Sequence, residues 1–403
     1  MIVFVDKLLG MLKMLLALFN HKKKSELIIN SNLKELAKSK GWLFEVIEKP
    51  VIQIHKPSNT IEQDILYIIK SWGKIINNAF YSRLEPPKIP REKHFYHLYC
   101  VISYEISASF KCHIPRATVL KPNGLVITSN LEILSQSVHG QKIDVSLNLE
   151  QIQENLNSSR IFSGTYVSLL TDYALNYAHW LMDSLPKLAL LDSLSSNLNF
   201  IIPDNSPRYI IDSLKLLGIQ EEKIFEIKEK SIVVEKLILC HAAQTNGRPS
   251  KTHLFNIRNR LLSSVADNKS NRFTSSRIYV SRSNSARKIV NEAEILPILK
   301  DYNFEVILCE DMSFAEQIKV FSGAEVVLGS HGAGIYNQIF CNPGAIIIEI
   351  YNKQYWHHSS RIISSLMGHS HWHIFGDNVS KDWQTWVDPL KLKKILSLAL
   401  THE

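Results

Sequence analysis

The sequence predicts an α/β protein whose C-terminal part is an open, doubly wound parallel sheet. Three observations point there. From about residue 95, short apolar runs of strand type alternate with helical stretches. After residue 276 the connections shorten, so that each strand leads to the next through a single crossover helix. Finally, Gly329-Ser330-His331-Gly332-Ala333-Gly334 lies between such a strand and such a helix, where open sheets place their ligands. At 403 residues, 45% hydrophobic and 21% charged, the chain has the composition of folded soluble protein and room for two domains plus an extension.

Residues 1–90 read as the extension. Asp6, Lys7 and Lys13 interrupt its first apolar stretch, leaving no run of about 18 uncharged residues to cross a bilayer. Asp6, Gly10, Lys13, Ala17 and Asn20 fall on one helix face, with leucines, Met11 and Phe19 around the rest. His21-Lys22-Lys23-Lys24 follows. Residues 1–24 are therefore expected to lie on an anionic membrane surface, each basic residue contributing about 1 kcal/mol; a first helix packed on the protein's own core is the alternative. The breaker-rich stretch 85–91 closes this part.

Residues 91–266 form a first α/β lobe. Strands are expected at 125–128, 166–170, 198–202, 224–227 and 232–239, a long apolar helix at 176–194 and a shorter one at 207–217. A polar linker at 267–276 leads to a Rossmann-like lobe, 267–403. Its strands fall at 277–281, 304–308, 325–328 and 345–350, its helices at 292–302, 314–322, 333–341, 359–367 and 389–400.

Lys and Arg outnumber Asp and Glu, 46 to 38. Fourteen of those bases and only eight of the acids lie in residues 1–90, so most of the surplus belongs to the extension. No basic, aromatic-interleaved cluster follows, and nucleic acid drops out as a partner. Five cysteines without a CxxC pair make no disulfide framework, which suits a reducing cytoplasm. With Asp6 ahead of the apolar stretch and no small-residue cleavage site after it, a secretory signal is not expected. The expected location is cytoplasmic, peripheral on the inner face of the membrane.

Four features carry chemistry. In the glycine-rich turn, backbone N–H groups and the positive end of the next helix suit a diphosphate, with His331 placed to donate to phosphate or sugar; an ordinary tight turn is the alternative. Arg282, after the strand at 277–281, offers a bidentate partner for the same anion. In Asn176-Tyr177-Ala178-His179-Trp180-Leu181-Met182-Asp183, helical spacing puts Asn176, His179 and Asp183 on one face. A carboxylate beside an imidazole suits a general base for a hydroxyl. His369, His371 and His373 alternate and would share a strand face, but no Cys or carboxylate joins them in the motif. There is also no Asp-x-Asp, P-loop or nucleophile elbow, so no metal or other cofactor is expected.

Asn176–Asp183, Ser281-Arg282, Ser313-Phe314-Ala315-Glu316-Gln317 and Ser330-His331-Gly332-Ala333-Gly334 occur in an order and spacing that resembles glycosyltransferase family 61. The likeness runs from about residue 160 to 350. It implies a two-lobed GT-B-type fold of two Rossmann-like domains, with the donor site in the C-terminal lobe, and inverting sugar transfer without an Asp-x-Asp metal. Arg282 and the Ser330–Gly334 loop would hold the diphosphate of a donor, first of all a UDP-sugar. His179 or Asp183 would be the base, Asn176 would lie on the acceptor side, and Glu316 and Glu349 would bind ribose or sugar hydroxyls or serve structurally. Bacterial relatives of this type imply a glycan or lipid-linked acceptor in surface polysaccharide synthesis. The alternative is a non-catalytic nucleotide-sugar-binding subunit or scaffold of a polysaccharide assembly complex.

Overall fold

The computed structural model describes residues 28–30, 32–49, 51–55, 59–60, 102–106, 108–138, 161–194, 197–242, 249–266 and 275–401. The helix expected in residues 1–24 lies outside them, as does most of the linker at 267–276. No helix among the described residues is long and apolar enough to cross a membrane.

Two sheets dominate. Strand Ser231–His241 divides the first of them. On one side Ile161–Ser168, Leu198–Pro203 and Ile224–Ile227 follow in that order, all parallel, as the α/β alternation predicts. On the other, Ser231–His241 pairs antiparallel with the long strand Ser109–Leu120, which turns back into Leu125–Ile127. The short connection forces this: two strands joined by four residues can only be antiparallel. Gly124 at φ +77° makes the turn, and a Cβ there would stand 3.0 Å from Leu170 Cβ and Ser168 Oγ. This lobe is thus half parallel and half antiparallel, where a purely Rossmann-like sheet was expected. Ile28–Asn30 and Phe44–Glu48, read above as extension, pair into the same sheet.

The second sheet runs Glu305–Ile307, Arg277–Val280, Val326–Ser330, Ile346–Asn352, Ser370–Asn378, all parallel, then antiparallel Thr385–Trp386. Numbered along the chain, the five parallel strands stand 2-1-3-4-5. Every residue of Val326–Ser330 and Ile346–Asn352 is buried, as befits strands covered by helices on both faces. The order reverses between Arg277–Val280 and Val326–Ser330. Crossovers leave to opposite faces there, and a crevice opens beyond the strands' carboxyl ends.

The stretch expected as one helix over 176–194 winds three ways: α at Tyr177–His179, π at Trp180–Ser184 and 3-10 at Leu185–Leu190. Pro186 is one cause, since its ring removes an N–H and crowds the preceding turn. The apolar side chains still pack. Trp180, Leu181, Leu185 and Leu188 join Ile278, Val280, Phe314 and Ile339 in one buried cluster that crosses from the first sheet to the second. Helix Lys251–Val265 fastens the same seam. Its buried Arg258 donates to the carbonyls of Ile339 (2.7 Å) and Cys341 (2.9 Å), capping the C-terminal end of the 3-10 helix Ala333–Phe340.

Candidate active site

The crevice at the strand reversal holds a cleft of about 910 Å³. Arg282 follows strand Arg277–Val280 and reaches across to the glycine-rich turn that follows Val326–Ser330. Its Nε and Nη2 donate to Ser285 Oγ (3.2 and 3.0 Å), and Nη1 donates to the His331 carbonyl (3.1 Å). The guanidinium occupies the space a side chain would need at residue 332: a Cβ on Gly332 would lie 1.2 Å from Arg282 Nη1. Burial brings the arginine down to about 10, which leaves it charged at neutral pH. A cation is thus fixed on the first residues of the Ala333–Phe340 helix, whose opening N–H groups have no partner within the helix.

His331 turns away from this cleft. Its Nδ1 meets Glu349 Oε1 at 2.7 Å, and the other carboxylate oxygen meets His371 Nε2 at 3.3 Å. Glu349 is fully buried. Burial alone would raise its carboxyl, but the two imidazoles outweigh that and hold it well below the usual carboxylate range. With both oxygens engaged, Glu349 is a support for His331 and reaches no donor hydroxyl. Ser330 Oγ is buried without a hydrogen-bond partner among the described residues.

Across the seam, Asn176 caps the turn that carries His179. Its side-chain oxygen accepts from the N–H groups of Ala178 (3.0 Å) and His179 (3.4 Å). It therefore does not share a face with the other two, as helical spacing had implied. His179 Nδ1 lies 2.7 Å from Asp183 Oδ2. With Nδ1–H donating to the carboxylate, Nε2 keeps its lone pair; the ring is one-third exposed and Tyr173 packs on it at 4.9 Å. Asp183 is buried.

Of the expected residues, Arg282, Glu316, Ala333 and Gly334 line the cleft. Glu316 lines it while serving structure: with Ser313 it closes a capping box, its carboxylate accepting from the Ser313 N–H (2.7 Å) and hydroxyl (2.8 Å). His179, Asp183, His331 and Glu349 are not among the lining residues. Asn176 lines a second cleft of about 630 Å³ with Asp172, Tyr173 and Asp204.

Sequence reasoning missed Tyr177, Arg208, Tyr209 and Asp212, which bring the first lobe to the cleft, and Glu310 and Asp311 after strand Glu305–Ile307. The last two had a signal: they are acids at the carboxyl end of the strand beside Arg277–Val280, on the sheet edge where open α/β folds bind ligands. Strand Ser370–Asn378 carries His371 and His373, with His369 just before it. His371 is committed to Glu349, and among the described residues no three His, Cys, Asp or Glu side chains converge to hold a metal.

Comparison with known proteins places the chain beside glycosyltransferases. Residues 177–348 match the family model Glycosyltransferase 61. Protein O-linked-mannose beta-1,4-N-acetylglucosaminyltransferase 2 from Takifugu rubripes is 34% identical over 77 residues, 18% of this chain and 13% of that protein. EGF domain-specific O-linked N-acetylglucosamine transferase is 29% identical over 83 residues in the Gallus gallus protein and 31% over 77 residues in that of Drosophila melanogaster; each alignment covers 18% of this chain and 15% of the relative. The chain thus matches only about a seventh of the length of these relatives. Across residues 177–348 it is similar to glycosyltransferase family 61, a likeness that supports a transferase of glycosyl groups.

Proposed function

We propose that the protein is an inverting glycosyltransferase that moves a sugar from a nucleoside diphosphate, UDP first, to an acceptor hydroxyl. The observation that carries the reading is the Arg282 guanidinium seated on Gly332 at the point where the strand order reverses. There it would meet a diphosphate together with the N–H groups that open the Ala333–Phe340 helix. Glu310 and Asp311 would take the ribose hydroxyls.

In this reading the acceptor oxygen attacks the anomeric carbon from the face opposite the diphosphate, and its proton passes to His179 Nε2. The bond from the anomeric carbon to the phosphate oxygen breaks with its electron pair going to the diphosphate, where Arg282 stabilises the added charge. Asp183 holds the imidazole tautomer and stabilises the imidazolium. No metal enters the proposal. For the acceptor, a glycan or lipid-linked hydroxyl in surface polysaccharide synthesis is the first reading, with the enzyme peripheral on the cytoplasmic membrane through residues 1–24. The relatives' names favour a second, a hydroxyl carried on a protein. A non-catalytic binding subunit keeps the cleft but has no use for the His179–Asp183 pair.

Calorimetric titration with UDP, GDP, dTDP and CMP, followed by turnover of the matching sugar donor, tests the proposal. Binding that Arg282→Ala removes, together with turnover that His179→Ala removes, supports it. Nucleotide binding without turnover in any donor and acceptor pair would leave the non-catalytic reading.

A further inference from the structure

Tyr177 and Gln317 belong to two of the sequence motifs, yet the displacement chemistry uses neither. They meet at a third residue. Tyr177, in the turn that carries His179, donates its hydroxyl to Asn337 Oδ1 at 2.5 Å. Asn337 is fully buried and donates its amide to Gln317 Oε1 at 2.7 Å. Gln317 in turn donates to the carbonyls of Cys309 (3.0 Å) and Met312 (3.3 Å). Those carbonyls bracket the turn that presents Glu310 and Asp311 to the nucleotide cleft.

The chain of bonds has one polarity. Flipping the Gln317 amide would set its oxygen against two carbonyls, and flipping Asn337 would set oxygen against oxygen. Removed from water, such a misfit is costly, so the amides are locked in this arrangement. Apolar packing already joins the lobes but carries no direction of its own; this chain of bonds adds one.

We propose that Asn337 is a positioning residue that fixes the His179 turn to the nucleotide cleft, so that the base is placed by the donor lobe rather than by movement of one lobe over the other. The inference rests on the reading of His179 as base and of the cleft as the donor site. A nucleotide that orders the turn at 309–312 then also orders residues 173–184.

Deuterium exchange of the full chain with and without UDP tests this, beside UDP calorimetry and donor turnover with UDP-N-acetylglucosamine. In the wild type, UDP should slow exchange in residues 173–184. Asn337→Leu should bind UDP within about twofold of the wild type yet lose that slowing. Its kcat should fall by about 10- to 100-fold at unchanged donor KM, the scale of a misplaced catalytic group. Tyr177→Phe keeps the ring against Tyr209 (4.9 Å) and Phe314 (6.1 Å) while deleting the hydroxyl. Should the leucine variant fail to fold, the phenylalanine one must lose the slowing. Equal slowing in wild type and variants, or an unchanged kcat, overturns the proposal. Failure of the wild type to bind any of the four nucleotides overturns the donor-site reading itself, and the coupling with it.

Discussion

Gly332→Ala isolates the contact on which the proposed donor site depends. The backbone is no obstacle: φ at Gly332 is 168°, extended geometry open to any residue. The new methyl carbon, however, would start 1.2 Å from Arg282 Nη1, against an ordinary contact near 3.5 Å. The guanidinium must move by about 2 Å, and its bond to the His331 carbonyl at 3.1 Å cannot survive that. Because the obstructing atom ends a flexible side chain, the fold should persist, with Tm close to the wild type. Binding should not. A charged hydrogen bond contributes about 1.5–3 kcal/mol, so UDP affinity should fall by about 10- to 100-fold. Calorimetry on Gly332→Ala, Arg282→Ala and the double variant reads this directly: once Arg282 is gone the methyl group has nothing to displace, so the double variant should bind like Arg282→Ala alone. Wild-type affinity in Gly332→Ala, or additive losses in the double variant, would refute the argument.

Other expectations follow from the same geometry. His179→Ala should lower kcat by about 10²- to 10⁴-fold while leaving UDP affinity unchanged, the ordinary range for a general base; Asp183→Asn should fall in the same direction with the imidazole still present. Glu349 is depressed in the fold, so its ionisation stabilises the protein above the ordinary carboxylate value of 4.5 and that contribution is lost as pH falls below it. Urea titrations should therefore show wild type and Glu349→Gln far apart at pH 7 and converging toward pH 3; a constant gap would contradict the depressed carboxyl. Lys187 is buried, donates to the Leu170 carbonyl at 2.7 Å, and is brought down by burial to about 8 from 10.5. Its buried charge costs stability below pH 8, and the cost is relieved as pH rises toward 10.5. Relative to Lys187→Met, the wild type should gain on the order of 3 kcal/mol over that interval. Parallel pH curves would show that the charge carries no such penalty.

The second sheet was legible because its strands are apolar runs with a helix after each, and such strands can only be buried on both faces. Ser370–Asn378 escaped: Ser370, His371, His373, Gly376 and Asp377 break the run, although the alternating histidines did mark a strand. The antiparallel half of the first sheet was hidden for a similar reason, since Lys111, His113 and Arg116 disguise strand Ser109–Leu120. The His179–Asp183 pair was readable from spacing alone. What spacing could not supply is anything joined through space. Arg282 and Gly332 are 50 residues apart and Tyr177 and Asn337 are 160 apart, so neither contact leaves a periodic trace. Glu349 illustrates the converse, because a carboxylate within an apolar strand has the same appearance in sequence whether it greets a sugar or two histidines.

The apolar cluster shared by the two sheets bears on how such a chain can be inherited. The stretch matched by the family, 177–348, opens at Tyr177 in the first lobe and stops inside strand Ile346–Asn352 of the second. It cuts through both sheets and respects neither as a unit. Trp180 and Leu185 would be stranded without Phe314 and Ile339, and the reverse holds equally. Neither lobe is therefore an exchangeable cassette: a chimera that grafts a relative's second lobe onto this first one would have to carry the facing side chains of the seam along with it.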